Sequence, residues 1–358
     1  MGEPRTDVVR EHCDHHAPTD TTDEVLLRRS VDAALAGPEA NPNPRVGALI
    51  TGTSGEVVGI GHHDGAGTAH AEVVALVEAG PRAAGGTAYV SLEPCAHQGR
   101  TPPCTQALLD AGITRVVYAH PDPDARAAGG GAWLEHRGVA TLLLPLAEAD
   151  DLLRHWSFAI SHGRPWVTWK YAATLDGRIA AADGTSAWIT SPAARADVHA
   201  LRARCGAIVV GTGTALADDP TLTARHEDGS LYAEQPLRVI VGQRDLPQDA
   251  RAEPLVHLLD HDPTAALADL HTRGVRRVLV EGGPTLAAGW WRSGLVDEVV
   301  AYLAPSLLGS GAAAVGDLGI ASMADIARLQ ITDVSQIGPD VRITAQPVAP
   351  QPNQRRGV

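Results

Sequence analysis

The chain has 358 residues and a formal net charge of −13, and 44% of its residues are hydrophobic. Two domains are expected at this length, because single domains usually hold roughly 100 to 200 residues. The acidic balance argues against a general nucleic-acid-binding role, since phosphate contacts need clustered lysine and arginine. No apolar run approaches the roughly 18 residues of a membrane span, so small-molecule chemistry is the expected function class.

Residues 1–23 mix acids, histidines, prolines and threonines, without the basic start and apolar centre of a signal peptide. They predict a disordered tail, and the protein is expected to be cytoplasmic. Cys13 stands among several histidines that offer metal ligands, but a disordered polar tail is the favoured interpretation.

Helical and strand-like patterns alternate over residues 24–146, which predicts an α/β domain with a mixed or mostly parallel sheet. The pattern gives a helix ending at Gly37, two strands around a glycine-rich turn, a helix from His70, a strand, a helix beside Pro103 and a last strand. Four apolar residues of the second helix are spaced to bury one face: Val73, Val74, Leu76 and Val77.

Residues 147–164 predict a linker helix, and a second α/β domain is expected over residues 165–347. Residues 348–358 are rich in proline and glutamine and predict a flexible tail. Helices are predicted in the second domain near 191–205, 264–274 and 284–294, and strands near 166–180, 207–212, 237–242, 276–283 and 298–305.

The most informative group of residues comprises His70, Glu72, Cys95 and Cys104. One imidazole and two thiolates give a tetrahedral metal three ligands and leave a fourth position for water, as in catalytic zinc sites. Zinc lowers the pKa of such a water to about 7, and Glu72 is suited to relay protons. His70 and Glu72 fall in the first turn of a predicted helix, and Cys104 lies near a helix N-terminus, which favours its thiolate.

Two buried cysteines or a disulfide are the alternatives for Cys95 and Cys104. Four cysteines in a chain expected to be cytoplasmic disfavour a disulfide, and His-x-Glu upstream of Pro-Cys is the signature of zinc nucleobase deaminases. That signature has two residues between its cysteines, whereas eight separate them here. The sequence predicts a zinc-dependent deaminase with an unusual cysteine spacing.

This spacing belongs to a pattern that resembles the deaminase half of the bifunctional riboflavin-biosynthesis deaminase/reductase family, in the segments NPNPRVGALI, GHHDGAGTAHAEV and YVSLEPCAHQGRTPPC. The resemblance implies a cytidine-deaminase-like three-layer α/β domain in which His70, Cys95 and Cys104 bind zinc. It implies that Glu72 is the catalytic general acid/base. Contacts with the pyrimidine and the ribose phosphate fall to Asn43, His63, His97 and Arg100.

Alternatives stay open for three of these contacts. Asn43 lies in Asn-Pro-Asn-Pro and is also a typical turn residue. Either His62 or His63 is free to point to solvent, and only the second matches the family. Arg100 is either an ordinary surface arginine or a phosphate ligand acting through charge-assisted hydrogen bonds.

The second half carries two glycine-rich turns. After the strand at 207–212, Leu216 stands where the third glycine of the G-x-G-x-x-G motif would lie, so the Rossmann fingerprint is absent. A turn with a purely structural role is therefore as well supported as a cofactor contact. Gly283 precedes Pro284 at a predicted helix start, whose backbone N–H groups suit a cofactor phosphate. Glu281 ends the preceding strand, where α/β sheets commonly place ligands.

The second half resembles the reductase half of the same family in KYAATLDGRIA, GTSAWITSPAAR, LRARCGAIVVGTGTALADDPTLTAR, VEGG and YLAPSLLG. The resemblance implies a dihydrofolate-reductase-like α/β domain that binds NADPH. Lys170, the only lysine of the chain, and Glu281 are expected to be catalytic and to manage the proton of the opened ribose. Substrate contacts are implied for Ser186, Arg202, Leu222, Arg225 and Glu281. NADPH contacts are implied for Ala172, Trp188, Thr214, Asp218, Gly283, Pro284, Thr285, Leu286, Ala287, Ala288 and Gly289.

Arg202 and Arg225 suit the substrate phosphate, because arginine binds phosphate in a bidentate manner. A helix-surface arginine is the alternative for Arg202, and a core tryptophan is the alternative for Trp188. Gly242-Gln243 stands where the family pattern leads us to expect an Asp-Ser-like pair.

The favoured function is zinc-dependent deamination of 2,5-diamino-6-ribosylamino-4(3H)-pyrimidinone 5′-phosphate, followed by NADPH-dependent reduction of its ribosyl group to ribityl. The family resemblance also implies a homo-oligomer joined through the reductase domains. One alternative is a paralogue that deaminates another amino-pyrimidine or amino-purine beside an altered or inactive reductase. A nucleic-acid-editing protein is disfavoured by the acidic balance and by an aromatic content of 4%.

Overall fold

The computed structural model describes residues 22–97 and 102–348. These residues form a five-stranded and an eight-stranded sheet, and helices pack against both. Every helix in these two ranges is too short or too polar to cross a bilayer.

The first sheet is mixed, with strand order β2-β1-β3-β4-β5. β1 runs antiparallel to both of its neighbours, whereas β3, β4 and β5 are parallel. The strands are β1 (Gly47–Thr51), β2 (Val57–His62), β3 (Thr87–Val90), β4 (Arg115–Tyr118) and β5 (Ala140–Leu143). The helices are α1 (Thr22–Ala34), α2 (Ala71–Ala79), α3 (Cys104–Asp110), α4 (Gly130–Glu135) and α5 (Ala147–His162).

Alternating side chains of this sheet enter two separate cores. Ala48 and Ile50 of β1 pack with α2 and α3, while Leu49 packs with α1. The result is the three-layer arrangement that the family resemblance implied. The sequence reasoning missed α4 and β5, because α4 begins in glycines and β5 is largely exposed and has no alternation of apolar residues.

Helix α2 lies unusually close to strand β2, and this closeness overturns the buried face that the sequence predicted. Val77 is 79% exposed and Val74 is also exposed. A Cβ atom on Gly59 or Gly61 of β2 would lie 2.1 or 2.5 Å from a carbonyl oxygen of α2. Only small residues fit between the two elements, so the helix turns its alanines inward. The buried residues are Ala71, Glu72, Ala75 and Ala79.

The second sheet has the order β12-β13-β11-β6-β10-β7-β8-β9. Six neighbouring strands, from β11 to β9, are parallel, and the β12–β13 hairpin adds to β11 in antiparallel register. The strands are β6 (Trp166–Thr174), β7 (Ala207–Gly211), β8 (Leu237–Val241), β9 (Val256–Leu258), β10 (Arg277–Val280), β11 (Glu298–Ala304), β12 (Leu329–Ile337) and β13 (Asp340–Pro347). The helices are α6 (Pro192–Ala203), α7 (Thr212–Asp218), α8 (Pro263–Thr272) and α9 (Pro284–Arg292).

The predicted helices and strands of the second half are confirmed, with Ser191 capping α6 and Pro284 opening α9. Four elements were missed: α7, β9, β12 and β13. The glycine-rich segment after β7, for which the sequence predicts a turn, instead begins the helix α7. Strand β12 is mostly exposed and carries several polar residues, so it gives no clear period-two pattern.

The two halves touch around the loop before β1. Arg204 Nε lies 3.7 Å from Glu39 Oε2, and Arg276 Nε donates a hydrogen bond to the carbonyl oxygen of Pro42 at 3.1 Å. The residues that immediately precede β10 therefore reach the first half of the chain.

Candidate active sites

Three predicted metal ligands meet at the first sheet. His70 occupies the position immediately before α2, Cys104 is the first residue of α3, and Cys95 lies between β3 and α3. His70 Nδ1 is 3.1 Å from Cys104 Sγ and 3.7 Å from Cys95 Sγ. Their ligand atoms all lie within 4.8 Å of one another, a spacing that fits one tetrahedral ion.

A hydrogen bond links the thiol of Cys104 to the sulfur of Cys95 and moves their pKa values in opposite directions. Hydrogen bonds from Cys104 and His70 lower the pKa of the Cys95 thiol to about 4. The hydrogen bond to Cys95 and burial raise the pKa of Cys104 above its ordinary value. Because zinc binds thiolates, an ion placed here would displace the proton of the Cys104 thiol, and the chemistry of the donor set fits zinc.

Glu72 lies in the first turn of α2, beside the metal ligands, with 4% of its surface exposed. Burial raises the pKa of its carboxyl group. A raised pKa makes the carboxylate a stronger proton acceptor, which suits a general acid/base.

Asn43 and His63 form a pair at the same site. Burial lowers the pKa of His63, so its ring is neutral near pH 7. Its Nδ1–H donates to the carbonyl oxygen of Ala69 at 2.9 Å, which leaves Nε2 to accept from Asn43 Nδ2 at 3.0 Å. His62 instead lies 2.9 Å from Asp64. Of the two neighbouring histidines, His63 is the one at the site.

A cavity of about 390 Å³ contains these groups. Its wall includes the exposed His97, whereas Arg100 lies outside the described residues. Sequence reasoning missed the acidic wall, formed by Glu93, Asp122 and Asp124 together with Arg126. Burial raises the pKa of Asp122 to about 6. The signal was available, because these acids follow the carboxyl ends of β3 and β4.

Lys170, Arg202 and Glu281 form a buried charged cluster in the second half. Arg202 Nε and Nη2 donate to the two oxygens of Glu281 at 2.6 and 2.9 Å, and Lys170 Nζ lies 3.7 Å from Oε2. Arg202 Nη1 also donates to the carbonyl oxygen of Thr223 at 3.1 Å. The helix-surface alternative for Arg202 is therefore wrong, and the guanidinium group orients Glu281.

Charge balance makes this cluster receptive to an anion. Burial alone would raise the pKa of Glu281, but Arg202 and Lys170 lower it to about 2. Burial lowers the pKa of the Lys170 ammonium group, and Glu281 opposes that shift. With Glu281 ionised, two cations face one carboxylate, which suits a phosphorylated substrate.

A second cavity, of about 660 Å³, opens at the start of α9. Gly283 N donates to Thr214 Oγ1 at 3.3 Å across it. Five implied cofactor residues line this cavity: Thr214, Gly283, Thr285, Leu286 and Gly289. Pro284 is the first residue of α9, and the side chains of Ala287 and Ala288 are buried against the sheet.

The remaining implied residues are spread around the second half. Trp188 is 77% exposed beneath the Arg195 guanidinium group, so the core-tryptophan alternative is wrong. Leu222 has φ 48° and a side chain buried in the core, which leaves its backbone for any substrate contact. Arg225 Nε donates to Thr223 Oγ1 at 3.0 Å. Ser186 and Asp218 are exposed, and Ala172 is half-buried in β6.

One cation of the second cavity, Arg244, was not predicted from the sequence. It lines the cavity beside Gln243 and His261, and its Nε donates to Thr212 Oγ1 at 3.3 Å. The departure at Gly242-Gln243 therefore stands next to an arginine that faces the cavity. Arg244 follows the carboxyl end of β8, which is the position that could have revealed it.

Comparison with known proteins assigns each half a family. The cytidine and deoxycytidylate deaminase zinc-binding region matches residues 20–120, and the RibD C-terminal domain matches residues 165–343. The riboflavin biosynthesis protein RibD of Mycobacterium tuberculosis is 48% identical over 309 residues, which is 85% of this chain and 91% of that protein. The Escherichia coli RibD is 38% identical over 359 residues, covering 89% of this chain and 98% of that protein.

Solved structures agree over nearly the whole chain. The RibD of Acinetobacter baumannii superposes with a TM-score of 0.84 and is 37% identical, covering 91% of this chain and 99% of that one. A diaminohydroxyphosphoribosylaminopyrimidine deaminase/5-amino-6-(5-phosphoribosylamino)uracil reductase of Thermotoga maritima has a TM-score of 0.79 at 29% identity, with the same coverage of 91% and 99%.

Proposed function

The chain belongs to the RibD family of riboflavin biosynthesis proteins, which join a zinc-dependent deaminase to an NADPH-dependent reductase. We propose that each half of the chain carries out one of these two reactions. Residues 24–146 carry out deamination and residues 165–347 carry out reduction, with 147–164 as a linker helix. The predicted tail over 1–23 is wrong at its end, because Thr22 and Asp23 belong to α1, and the rest of it lies outside the described residues, as does most of the predicted tail over 348–358. Two separate sheets and the two matched ranges support this division.

The deaminase substrate is 2,5-diamino-6-ribosylamino-4(3H)-pyrimidinone 5′-phosphate. Zinc held by His70, Cys95 and Cys104 supplies a Lewis acid that makes water nucleophilic at neutral pH. Glu72 takes the proton of the attacking water and delivers it to the departing amine. The observation that carries this assignment is the set of three donor atoms within 4.8 Å, next to a buried carboxyl group.

The other residues of this site bind the substrate. Neutral His63 and Asn43 hold each other in one orientation, and together they present hydrogen-bonding groups to the pyrimidine. His97 lies on the same wall and, with Arg100, is assigned to the ribose phosphate.

NADPH supplies the hydride for the second reaction, and the cavity at the start of α9 holds it. The backbone N–H groups at the N-terminus of α9 suit a cofactor phosphate. Thr214, Gly283, Thr285, Leu286 and Gly289 line this cavity. The assignments of Ala172, Trp188, Asp218, Pro284, Ala287 and Ala288 rest on the family resemblance alone.

Lys170 and Glu281 manage the proton of the opened ribose. As hydride adds to C1′ and the C1′–O4′ bond breaks, Lys170 Nζ gives its proton to O4′, which its burial-lowered pKa favours. Arg202 holds Glu281 in place. Arg225, Ser186 and the Leu222 backbone complete the substrate contacts.

We also propose a cytoplasmic homo-oligomer that is joined through the reductase domains. Strand β12 forms one edge of the second sheet, and three apolar residues on it are exposed: Leu329, Ile331 and Val334. Exposed apolar residues on an edge strand favour association. Light scattering of the purified protein tests this, and a monomer at micromolar concentration would contradict it.

One assay tests the two reactions together. Purified protein is mixed with zinc, the diamino substrate and NADPH, and ammonia release is followed beside the loss of the reduced-nicotinamide absorbance. We expect both signals, with ammonia release preceding NADPH oxidation. Ammonia without NADPH oxidation would instead support a paralogue with an idle reductase, an alternative that the similarity through both halves disfavours.

A further inference from the structure

The cavity around the metal ligands is not built by the first half of the chain alone. Arg276, which immediately precedes β10 of the second sheet, lines it. Trp156 and Ile160 of α5 line the same wall. A side chain from the reductase half is therefore part of the deaminase cavity.

Arg276 is half-buried and makes no ion pair with any carboxylate in the part of the chain that the structure describes. Its Nε donates to the Pro42 carbonyl oxygen at 3.1 Å, and its Nη1 lies 3.4 Å from the carbonyl oxygen of His271. A guanidinium group has five N–H donors, so most of them are left for a ligand. Burying a cation without an anion is costly, which makes such a group notable beside a cavity.

Two acids of the cavity have hydrogen-bond or ion-pair partners other than Arg276. Asp124 forms an ion pair with Arg126 at 2.6 Å. Glu93 accepts backbone N–H groups from Asp122 and Gly131 at 3.2 and 2.9 Å. Of the described arginines that line this cavity, Arg126 is thus paired with its neighbour, whereas Arg276 has no carboxylate of the described residues within ion-pair distance.

We propose that Arg276 binds the 5′-phosphate of the deaminase substrate, so that the reductase half completes the deaminase site. This inference rests on the proposed function. The amine-bearing ring carbon must face His70, Cys95 and Cys104, and the ribosyl phosphate then extends along the cavity. A dianionic phosphate at its end needs a cation with several donors, and the planar fork of arginine matches phosphate oxygens.

A positioning role is the competing explanation. Through Pro42, Arg276 contacts the loop that carries Asn43, and Asn43 hydrogen-bonds His63. Loss of that contact alone would weaken deamination of every pyrimidine equally. Loss of a phosphate ligand would weaken it only for phosphorylated pyrimidines, so the two explanations give different results with two substrates.

The test compares ammonia release from the phosphorylated substrate and from its dephosphorylated counterpart, for the full-length protein and three variants. Arg276→Ala should lower the ratio of the two kcat/KM values by about tenfold or more, mainly through KM, as expected for a lost charge-assisted hydrogen bond. Arg276→Lys should recover part of the ratio. Arg273→Ala should behave as the unmodified protein, because Arg273 pairs with Asp269 at 2.7 Å and does not line the cavity.

Inorganic phosphate provides a second readout that does not depend on turnover of the intact substrate. It should inhibit deamination of the dephosphorylated pyrimidine in the unmodified protein, and about tenfold more should be needed with Arg276→Ala. Retained reduction of pre-deaminated substrate shows that the variant is folded, and Arg276→Lys replaces Arg276→Ala if it is not.

Two results overturn the proposal: an equal loss on both pyrimidines, which indicates positioning alone, or an unchanged ratio in Arg276→Ala. Failure of the unmodified protein to deaminate either pyrimidine would count against the proposed function itself, and is distinguishable from both.

Discussion

The two sites of this chain differ in the sign of the charge that they are suited to bind: a cation in the first half and an anion in the second. In the first half, the two sulfurs and His70 lie close together, and hydrogen bonds from Cys104 and His70 favour the thiolate form of Cys95, the form that binds a divalent cation. In the second half, Arg202 and Lys170 already hold Glu281 in its ionised form. The first site needs a metal to complete its charge balance, whereas the second is organised by its own side chains and retains positive charge for an anionic substrate.

This difference determines how well each site can be predicted from the sequence. The protein ligands of zinc are histidine, cysteine and carboxylate side chains, so the residue types alone indicate a metal site. A charged cluster of lysine, arginine and glutamate looks in sequence like an ordinary ion pair. Changing one group in each site should therefore separate the two activities cleanly.

Glu72→Gln should have the largest effect, a loss of about 10³-fold or more in deamination, because general acid/base groups contribute up to about 10⁴-fold. The amide keeps the shape of the side chain but cannot relay a proton. Ammonia release from the diamino substrate measures the loss.

Reduction of pre-deaminated substrate is the control for this variant. It should proceed at the unmodified rate, because Glu72 lies at the first sheet. Loss of both activities would contradict two independent sites.

Lys170→Met should lower reduction by about 10²-fold and leave deamination unchanged. Methionine fills the space without the proton, and Glu281 keeps its bidentate partner Arg202, so the fold should persist. NADPH oxidation with pre-deaminated substrate measures the effect. An unaffected rate would remove Lys170 from the mechanism.

Arg244→Ala should raise KM for NADPH by about tenfold without changing KM for NADH. Arg244 lines the cofactor cavity, and arginine commonly accommodates the 2′-phosphate that distinguishes the two cofactors. Initial rates with each cofactor measure this. A parallel increase for both would mean that Arg244 supports the cavity and does not read the phosphate.

Gly61→Ala should have the smallest effect on chemistry but a measurable one on stability, a loss of about 2 kcal/mol in the free energy of unfolding. Its Cβ would lie 2.5 Å from the backbone of α2, which must then move and carry His70 and Glu72 with it. Thermal unfolding measures the loss.

Val77→Ala is the matched control for this variant, since Val77 belongs to the same helix and is 79% exposed. It should change the free energy of unfolding by less than about 0.5 kcal/mol. Equal losses of unfolding free energy in the two variants would mean that the close approach of β2 to α2 does not stabilise the packing of α2 on the first sheet.

Most of the architecture was predictable from the sequence, and the two main errors in that prediction have separate causes. The valines of α2 suggested the wrong face because sequence periodicity does not show how closely a helix approaches a strand; Gly59 and Gly61 held that information. Strand β12 was missed because exposed edge strands carry little apolar alternation.

The sites were predictable in unequal measure. His70, Cys95, Cys104 and Glu72 follow from ligand chemistry, whereas Lys170 drew only weak attention as the sole lysine. Arg276 was not identified at all. It is distant in sequence from every metal ligand, and only the packing of the two halves brings it to the cavity.

Strand β10 has only four residues, yet it separates a residue of one cavity from a residue of the other: Arg276 immediately before it and Glu281 immediately after it. At about 3.3 Å per residue, the two α-carbons are roughly 16 Å apart. The strand is thus a fixed-length spacer between the two chemistries. Dividing the gene between the halves would leave a freestanding deaminase without this arginine, so we expect it to require another cation from a neighbouring molecule or from its own loops.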